Sequence, residues 1–150
     1  TLSVGDLSGD NFSVRGFLSF SLAQIPAGAT IQLATLRVSQ VGILGDPYGS
    51  LGGTVQVDHV DLGPALDATD HAAPALAANV ATLSITAVLE IKTTVVTAEV
   101  VADLAAPRAT SAFRLRFPVA TTLDALNDTA LFRNQKPGEE LVLRVTYLAP

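Results

Sequence analysis

Residues 12–22 alternate between apolar and polar side chains with the period of two that is typical of a β-strand. The even positions from Phe12 to Leu22 are apolar or glycine, whereas the odd positions are mostly serine or arginine. A strand with one buried and one exposed face produces this pattern, because successive side chains point to opposite faces of a sheet. Phe12 and Phe20 fall on the predicted buried face. Residues 25–29 (IPAGA) then predict a turn.

A second strand follows this turn, and its pattern shifts by one residue. Ile31 and Leu33 alternate in one phase, whereas Ala34, Leu36 and Val38 alternate in the other, so we predict a β-bulge at Leu33-Ala34. Further strands are predicted at residues 54–60, 82–88, 89–96, 112–117 and 141–148.

About seven short strands separated by turns predict an all-β fold, an antiparallel two-sheet β-sandwich of jelly-roll-like type. The residues expected in its core are Leu18, Phe20, Leu36, Val38, Leu115 and Val145. One short helix is predicted around residues 98–105, with Thr97 as N-cap and Pro107 after its end. Val100, Val101 and Leu104 would lie on one side of this helix and cover one end of the sandwich. Residues 41–53 and 62–81 are predicted to be long loops.

Composition narrows the range of functions. A chain of 150 residues is expected to form a single domain over residues 1–150. Only 15% of the residues are charged and the net charge is −5, which argues against partners that require basic patches, such as nucleic acid. The chain has no cysteine and no apolar run near 18 residues, so we expect neither a disulfide nor a membrane span. Thr1 is expected to be a processed or trimmed end, with removal of an export signal as the natural explanation.

Residues 15–38 (RGFLSFSLAQIPAGATIQLATLRV) resemble the opening of DNRLRE-type domains of secreted and surface-anchored bacterial and archaeal proteins. The resemblance continues through GDPYGSLG at 45–52, VDHVDLG at 57–63, LDATD at 66–70, FRLRF at 113–117 and LVLRVTY at 141–147. It implies a non-catalytic extracellular β-sandwich, and some relatives are associated with carbohydrate binding. Two departures stand out: Ser21 replaces the aspartate usual in the family, and the family has a strand ahead of the element that opens this chain.

Candidate catalytic groups are sparse. Six possible ligands cluster between residues 58 and 71: Asp58, His59, Asp61, Asp67, Asp70 and His71. A catalytic metal would need several of them to converge, but Asp58 and His59 would point to opposite faces of a strand. Roles for the aspartates in turns are favoured instead. The sequence contains no nucleophile elbow, phosphate-binding loop or HExxH motif, so we expect no enzymatic activity and no cofactor.

A structural calcium ion is the remaining cofactor hypothesis. Asp6 and Asp10 lie in one predicted loop and Asp124 and Asp128 in another, and oxygen ligands at such spacing can hold Ca²⁺. Ordinary turns formed by aspartate and asparagine are the alternative. Asn11 and Asn127 also match the N-x-S/T pattern of glycan acceptors.

Candidate ligand-binding residues are aromatic or cationic. Tyr48 and Phe17 fall outside the predicted buried pattern, and could contact a sugar ring. Arg15, Arg114 and Arg116 could bind an acidic polysaccharide through bidentate contacts. An arginine face that is solvated or paired with aspartate is the alternative interpretation.

Two functions from different classes follow from the sequence. The first is a non-catalytic structural or assembly module at the cell surface or outside the cell, which associates with itself or a neighbouring surface protein. This module is predicted to assemble by strand exchange, in which residues 1–4 donate a strand or form an edge that receives one. The alternative is a carbohydrate-binding module of a secreted protein.

Overall fold

The computed structural model describes residues 1–9, 12–134 and 140–150, which form ten strands and two helices. In chain order these elements are β1 (Leu2–Leu7), β2 (Phe12–Val14), β3 (Gly16–Ser21), β4 (Thr30–Leu44), α1 (Pro47–Ser50), β5 (Val55–Val60), β6 (Ala77–Ser84), β7 (Ile91–Val95), α2 (Thr97–Ala105), β8 (Thr110–Arg116), β9 (Asp128–Phe132) and β10 (Leu141–Leu148).

The strands form two antiparallel sheets around a shared hydrophobic core, so the predicted all-β two-sheet sandwich is confirmed. The first sheet has the order β10-β4-β9-β1-β2, with β7 also paired to β4. The second sheet has the order β3-β8-β5-β6. β10 agrees with its predicted bounds, whereas β6 begins inside the predicted loop 62–81 and β9 was not predicted.

The single strand predicted over residues 12–22 is in fact two strands that belong to different sheets. β2 pairs with β1 in the first sheet, and β3 pairs with β8 in the second. Arg15 lies between them, where the chain passes from one sheet to the other. Because the two segments have different neighbours, the alternating pattern does not define one continuous buried face. Phe12, predicted to be buried, is 62% exposed.

Two bulges allow the 15-residue strand β4 to pair along its whole length. Ile31 pairs with Tyr147 and Leu33 pairs with Thr146, so Gln32 is an extra residue. The predicted bulge is therefore present, one position earlier than expected. A second register shift lies between Gln40 and Gly42, where the partner strand changes to β9.

The backbone of Ser39 shows that β9 and β10 lie on the same side of β4. Its N–H donates to the carbonyl of Glu140 at 2.8 Å, just before β10, and its carbonyl accepts from the N–H of Arg133 at 2.9 Å, just after β9. Both groups of one residue in an antiparallel ladder point to the same side. β1 extends the sheet beyond β9 only, so among the described residues no strand pairs with the outer edge of β10.

The predicted core residues are buried at the centre of the sandwich, but those at one side of it are only partly buried. Leu18, Leu36, Val38 and Leu115 are almost completely buried. Phe20 and Val145 are only half-buried, although both pack against the core. These two residues lie on β3 and β10, where the edges of the two sheets face each other.

Helix α2 begins at Thr97 rather than after it, so the predicted N-cap is wrong by one residue. Val96 occupies the N-cap position, and Thr97 Oγ1 instead accepts a hydrogen bond from the N–H of Ala34 at 2.9 Å. Val100 is buried as predicted, but Val101 is 46% exposed. Asp103 takes the second buried position, because its carboxylate has hydrogen-bonding partners in His59 beneath the helix and in Arg108.

We expect Leu115→Ala to lower the free energy of unfolding by about 2–5 kcal/mol, since it removes a fully buried side chain and leaves a cavity. Leu126→Ala is the matched control, because Leu126 is mostly exposed, and its change should stay within about 0.5 kcal/mol. Urea denaturation of both variants measures the difference. Equal stability of Leu115→Ala and the parent would contradict the assigned core.

Candidate functional site

An open groove of about 480 Å³, lined mostly by apolar side chains, separates the edge strands β3 and β10. None of the described residues that line the groove is charged. Its lining consists of Ser19, Phe20, Ser21, Leu22, Gln24, Ile25, Leu143, Val145 and Tyr147. The apolar members from β10 are those that the alternating sequence pattern places on a buried face.

Both strands that border the groove are edge strands. Among the described residues β3 pairs only with β8, and β10 pairs only with β4. Each strand therefore has a backbone edge whose N–H and C=O groups have no strand partner, which is the arrangement that accepts an added strand. The groove thus combines free hydrogen-bonding edges with an apolar floor.

The N-terminal segment is itself a strand of the first sheet, and β2 pairs with it only over residues 5–7, so residues 2–4 keep one backbone edge without a strand partner among the described residues. Residues 2–7 form β1, which lies between β9 and β2 in the order of the first sheet. Val4 is fully buried in the core. Deletion of residues 1–4 would therefore destabilise the fold whether or not the chain assembles, and it cannot test strand exchange.

A second candidate site lies on the outer face of the other sheet, where Asp58 is surrounded by arginines. Arg114 donates to Asp58 Oδ2 from Nε at 3.1 Å and from Nη2 at 2.9 Å. Arg116 donates to Oδ2 from Nε at 2.9 Å and to Oδ1 from Nη2 at 3.2 Å. The predicted alternative of an arginine face paired with aspartate is therefore confirmed for these two arginines.

The segment from His71 to Asn79 is attached to this cluster through its backbone. Arg114 Nη1 donates to the carbonyl of Ala73 at 2.8 Å, and Arg15 Nη1 donates to the carbonyl of His71. The N–H of Asn79 donates to Asp58 Oδ1 at 2.8 Å. The cluster thus holds the connection between β5 and β6 against the sheet.

The pKa values in this cluster reflect burial and unequal charge. Burial alone would raise the pKa of Asp58, but hydrogen bonds from Arg116, the N–H of Asn79 and Arg114 outweigh it and hold that pKa below its ordinary value. Burial and the nearby charges of Arg114 and Arg116 lower the pKa of Arg15, although Asp58 partly opposes this. The folded state therefore disfavours the positive charge of Arg15.

A pocket of about 200 Å³ opens beside the cluster. Four charged residues line it: Arg15, Asp58, Arg114 and Arg116. The remainder of the lining is mostly small or apolar, and includes Ser13, Ala75, Ala78 and Ala120. Phe17, another predicted ligand contact, is the cross-strand partner of Arg114 and is half-buried.

Tyr48 lies away from this pocket, in a polar network that the sequence analysis did not identify. Its hydroxyl oxygen is 2.5 Å from Gln40 Oε1 and 2.7 Å from Ser84 Oγ, and its ring packs edge-on against Phe117. Gln40 is buried, and its Nε2 donates to the carbonyls of Thr86 and Val88. Tyr48 thus fixes the connection between β6 and β7 rather than presenting a free ring.

The described candidate calcium ligands, Asp6, Asp124 and Asp128, accept hydrogen bonds from other protein groups. Asp6 Oδ2 accepts from Thr121 Oγ1 at 2.6 Å, although the buried Oδ1 has no hydrogen-bond partner among the described residues. Asp128 accepts from the N–H of Asp46 and from Ser50 Oγ, and Asp124 accepts from the N–H of Leu126. Asp10 and Asn11 lie outside the described residues. Within residues 1–9, 12–134 and 140–150, no three acidic or histidine side chains are arranged to hold a metal ion.

Asp58 and His59 have different partners, in line with the predicted opposite directions of their side chains. His59 points away from Asp58, and its Nε2 lies 2.9 Å from both carboxylate oxygens of Asp103 on α2. Asp61 and Asp67 accept backbone hydrogen bonds from Gly63 and Thr69, as the turn interpretation expects. The buried His59–Asp103 pair connects α2 to the second sheet.

Comparison with known proteins finds no matching family model and no matching curated protein. The resemblance to DNRLRE-type domains therefore stays a prediction. Over the part of the chain that the structure describes, neither helix is long and apolar enough to cross a membrane.

We expect Asp58→Asn to lower the free energy of unfolding by about 3–5 kcal/mol at pH 7, because buried Arg114 would lose its charged partner. The pKa of Asp58 is lowered in the folded state, so its charge stabilises the fold above its unfolded pKa of about 3.9. This contribution is lost as the pH falls from that value through the lower folded pKa.

Urea denaturation at pH 7 and at successive values below pH 4 measures this effect. The difference in stability between the parent and Asp58→Asn should shrink as the solution is acidified. Asp124→Asn is the control, because Asp124 is an exposed turn residue, and its effect at pH 7 should be small. A pH-independent difference for Asp58→Asn would contradict the assigned role of the carboxylate.

Proposed function

We propose that this chain is a non-catalytic assembly module of an extracellular structure, and that the groove between β3 and β10 accepts a β-strand from another copy. One observation carries the proposal: apolar side chains on β10 with a buried sequence pattern are left half-exposed between two unpaired strand edges. An added strand would cover these side chains and satisfy the backbone groups of the edge.

The topology indicates where the added strand would lie. β1 occupies the position beside β9, and β10 follows β9 along the same side of β4. The free position beside β10 is therefore in line with β1.

The incoming strand must match the groove in pattern and charge. Alternate side chains would point towards Phe20 and Val145, so apolar residues are required at every second position. None of the described lining residues is charged, and an uncharged strand would enter the groove without loss of hydration of a charge. A contact between a groove on one copy and a strand of the next is heterologous, and it extends into a filament if it does not close.

Binding of a carbohydrate is the alternative function. It has less support, because the aromatic side chains predicted to stack on a sugar ring are engaged within the protein. Tyr48 is engaged with Gln40 and Ser84, and Phe17 is half-buried beside Arg114. Retention of a monomeric chain on a polysaccharide column would favour this alternative over assembly.

We expect Ser19→Lys to reduce assembly without loss of stability. Ser19 is exposed on β3 and lines the groove, so a lysine there would place a charge where the strand must enter. Ser8→Lys adds the same charge at an exposed position outside the groove and should leave assembly unchanged. Sedimentation velocity over a concentration series at neutral pH measures the size distribution, and electron microscopy identifies filaments.

The parent and Ser8→Lys should form large species whose proportion rises with concentration, whereas Ser19→Lys should remain monomeric with an unchanged melting temperature. The proposal is wrong if the parent is monomeric at every concentration, or if Ser19→Lys assembles as the parent does.

A further inference from the structure

The pocket beside Asp58 contains more positive charge than its own carboxylate neutralises. Among the described residues, its charged lining side chains are three guanidinium groups and one carboxylate. Asp58 is hydrogen-bonded to Arg114 and Arg116, whereas the hydrogen bond of Arg15 is to the backbone carbonyl of His71. The lining therefore has an excess of two positive charges.

Two of the arginines also retain unused hydrogen-bond donors. A guanidinium group has five N–H donors in a planar fork. Arg116 binds Asp58 through Nε and Nη2, and within the described residues its Nη1 has no protein acceptor. Nε and Nη2 of Arg15 likewise have no acceptor among the described residues, since its one hydrogen bond is from Nη1.

The surroundings of Arg15 favour a negative partner. Burial and the charges of Arg114 and Arg116 lower its pKa, which shows that its positive charge is held in an unfavourable environment. An anion between Arg15 and Arg116 would reverse this effect, because the attraction would oppose both the burial and the repulsion. Ser13, Ala78 and Ala120 are small lining residues that leave space for such an anion.

We infer that this pocket binds a small oxyanion, the carboxylate or sulfate group of a ligand, between the unused donors of Arg15 and Arg116. Guanidinium forks match the geometry of such oxygens and bind them through paired, charge-assisted hydrogen bonds. Asp58 already occupies the neighbouring donors in this manner. The site is on the outer face of the second sheet, outside the groove, so its test is independent of strand addition.

Isothermal titration calorimetry tests this inference. The protein is titrated with sodium sulfate and, in a separate experiment, with sodium acetate, and sodium chloride is used to keep the ionic strength constant. Saturable binding of either anion is expected for the parent. Arg15→Gln should weaken it about tenfold or more, the change expected for loss of one charge-assisted hydrogen bond. Arg144→Gln removes the same charge from an exposed arginine that contacts Glu140, and should bind as the parent does.

Binding of sulfate alone would assign a sulfate-bearing ligand, binding of acetate alone a carboxylate-bearing one, and either result supports the site. Arg15→Lys retains the charge without the planar fork, and its affinity should fall between those of the parent and Arg15→Gln. If Arg15→Gln does not fold, weaker binding by Arg15→Lys than by Arg144→Gln serves as the test. Absence of saturable binding in the parent, or equal affinity in all folded variants, would overturn the inference.

Discussion

The buried carboxylate of Asp58 is the interaction on which the second sheet and its covering segment depend. A charge removed from water is costly unless hydrogen bonds and opposite charges compensate it. Arg114 and Arg116 provide this compensation from the neighbouring strand, and the N–H of Asn79 provides a further hydrogen bond. One carboxylate thus links β5, β8 and the first residues of β6.

The same compensation creates the charge imbalance beside the cluster. Arg114 and Arg116 carry two positive charges, one more than is needed to neutralise the single negative charge of Asp58. Arg15 adds a third guanidinium group where the chain passes between the sheets. The backbone position of Arg15 is set by the passage of the chain from β2 to β3, and not by a contact with the carboxylate of Asp58. The oxyanion pocket is therefore a consequence of placing a sheet-to-sheet crossing next to an ion cluster.

The two sides of the sandwich are closed in different ways. On the side of β6 and β7, the buried amide of Gln40 holds the connecting segment through the carbonyls of Thr86 and Val88, and Tyr48 and Ser84 complete the network. On the side of β3 and β10, no strand formed by the described residues lies between the two backbone edges. This difference explains why Phe20 and Val145, both apolar by pattern, are only half-buried. The proposed assembly would complete the second side with a strand from another chain.

The sequence alone determined the fold class, most strands and the opposite orientations of Asp58 and His59, because alternation along a strand is a local property. The bulge in β4 was visible for the same reason. Local pattern could not show that residues 12–22 divide between two sheets, since both segments alternate equally well. It also could not predict that Asp103 on α2 and Gln40 on β4 are buried, because their contacts with His59 and with the carbonyls of Thr86 and Val88 join residues distant in the chain. The open groove and the excess charge at Arg15 were decided by the tertiary structure, since both arise from which strands and side chains become neighbours.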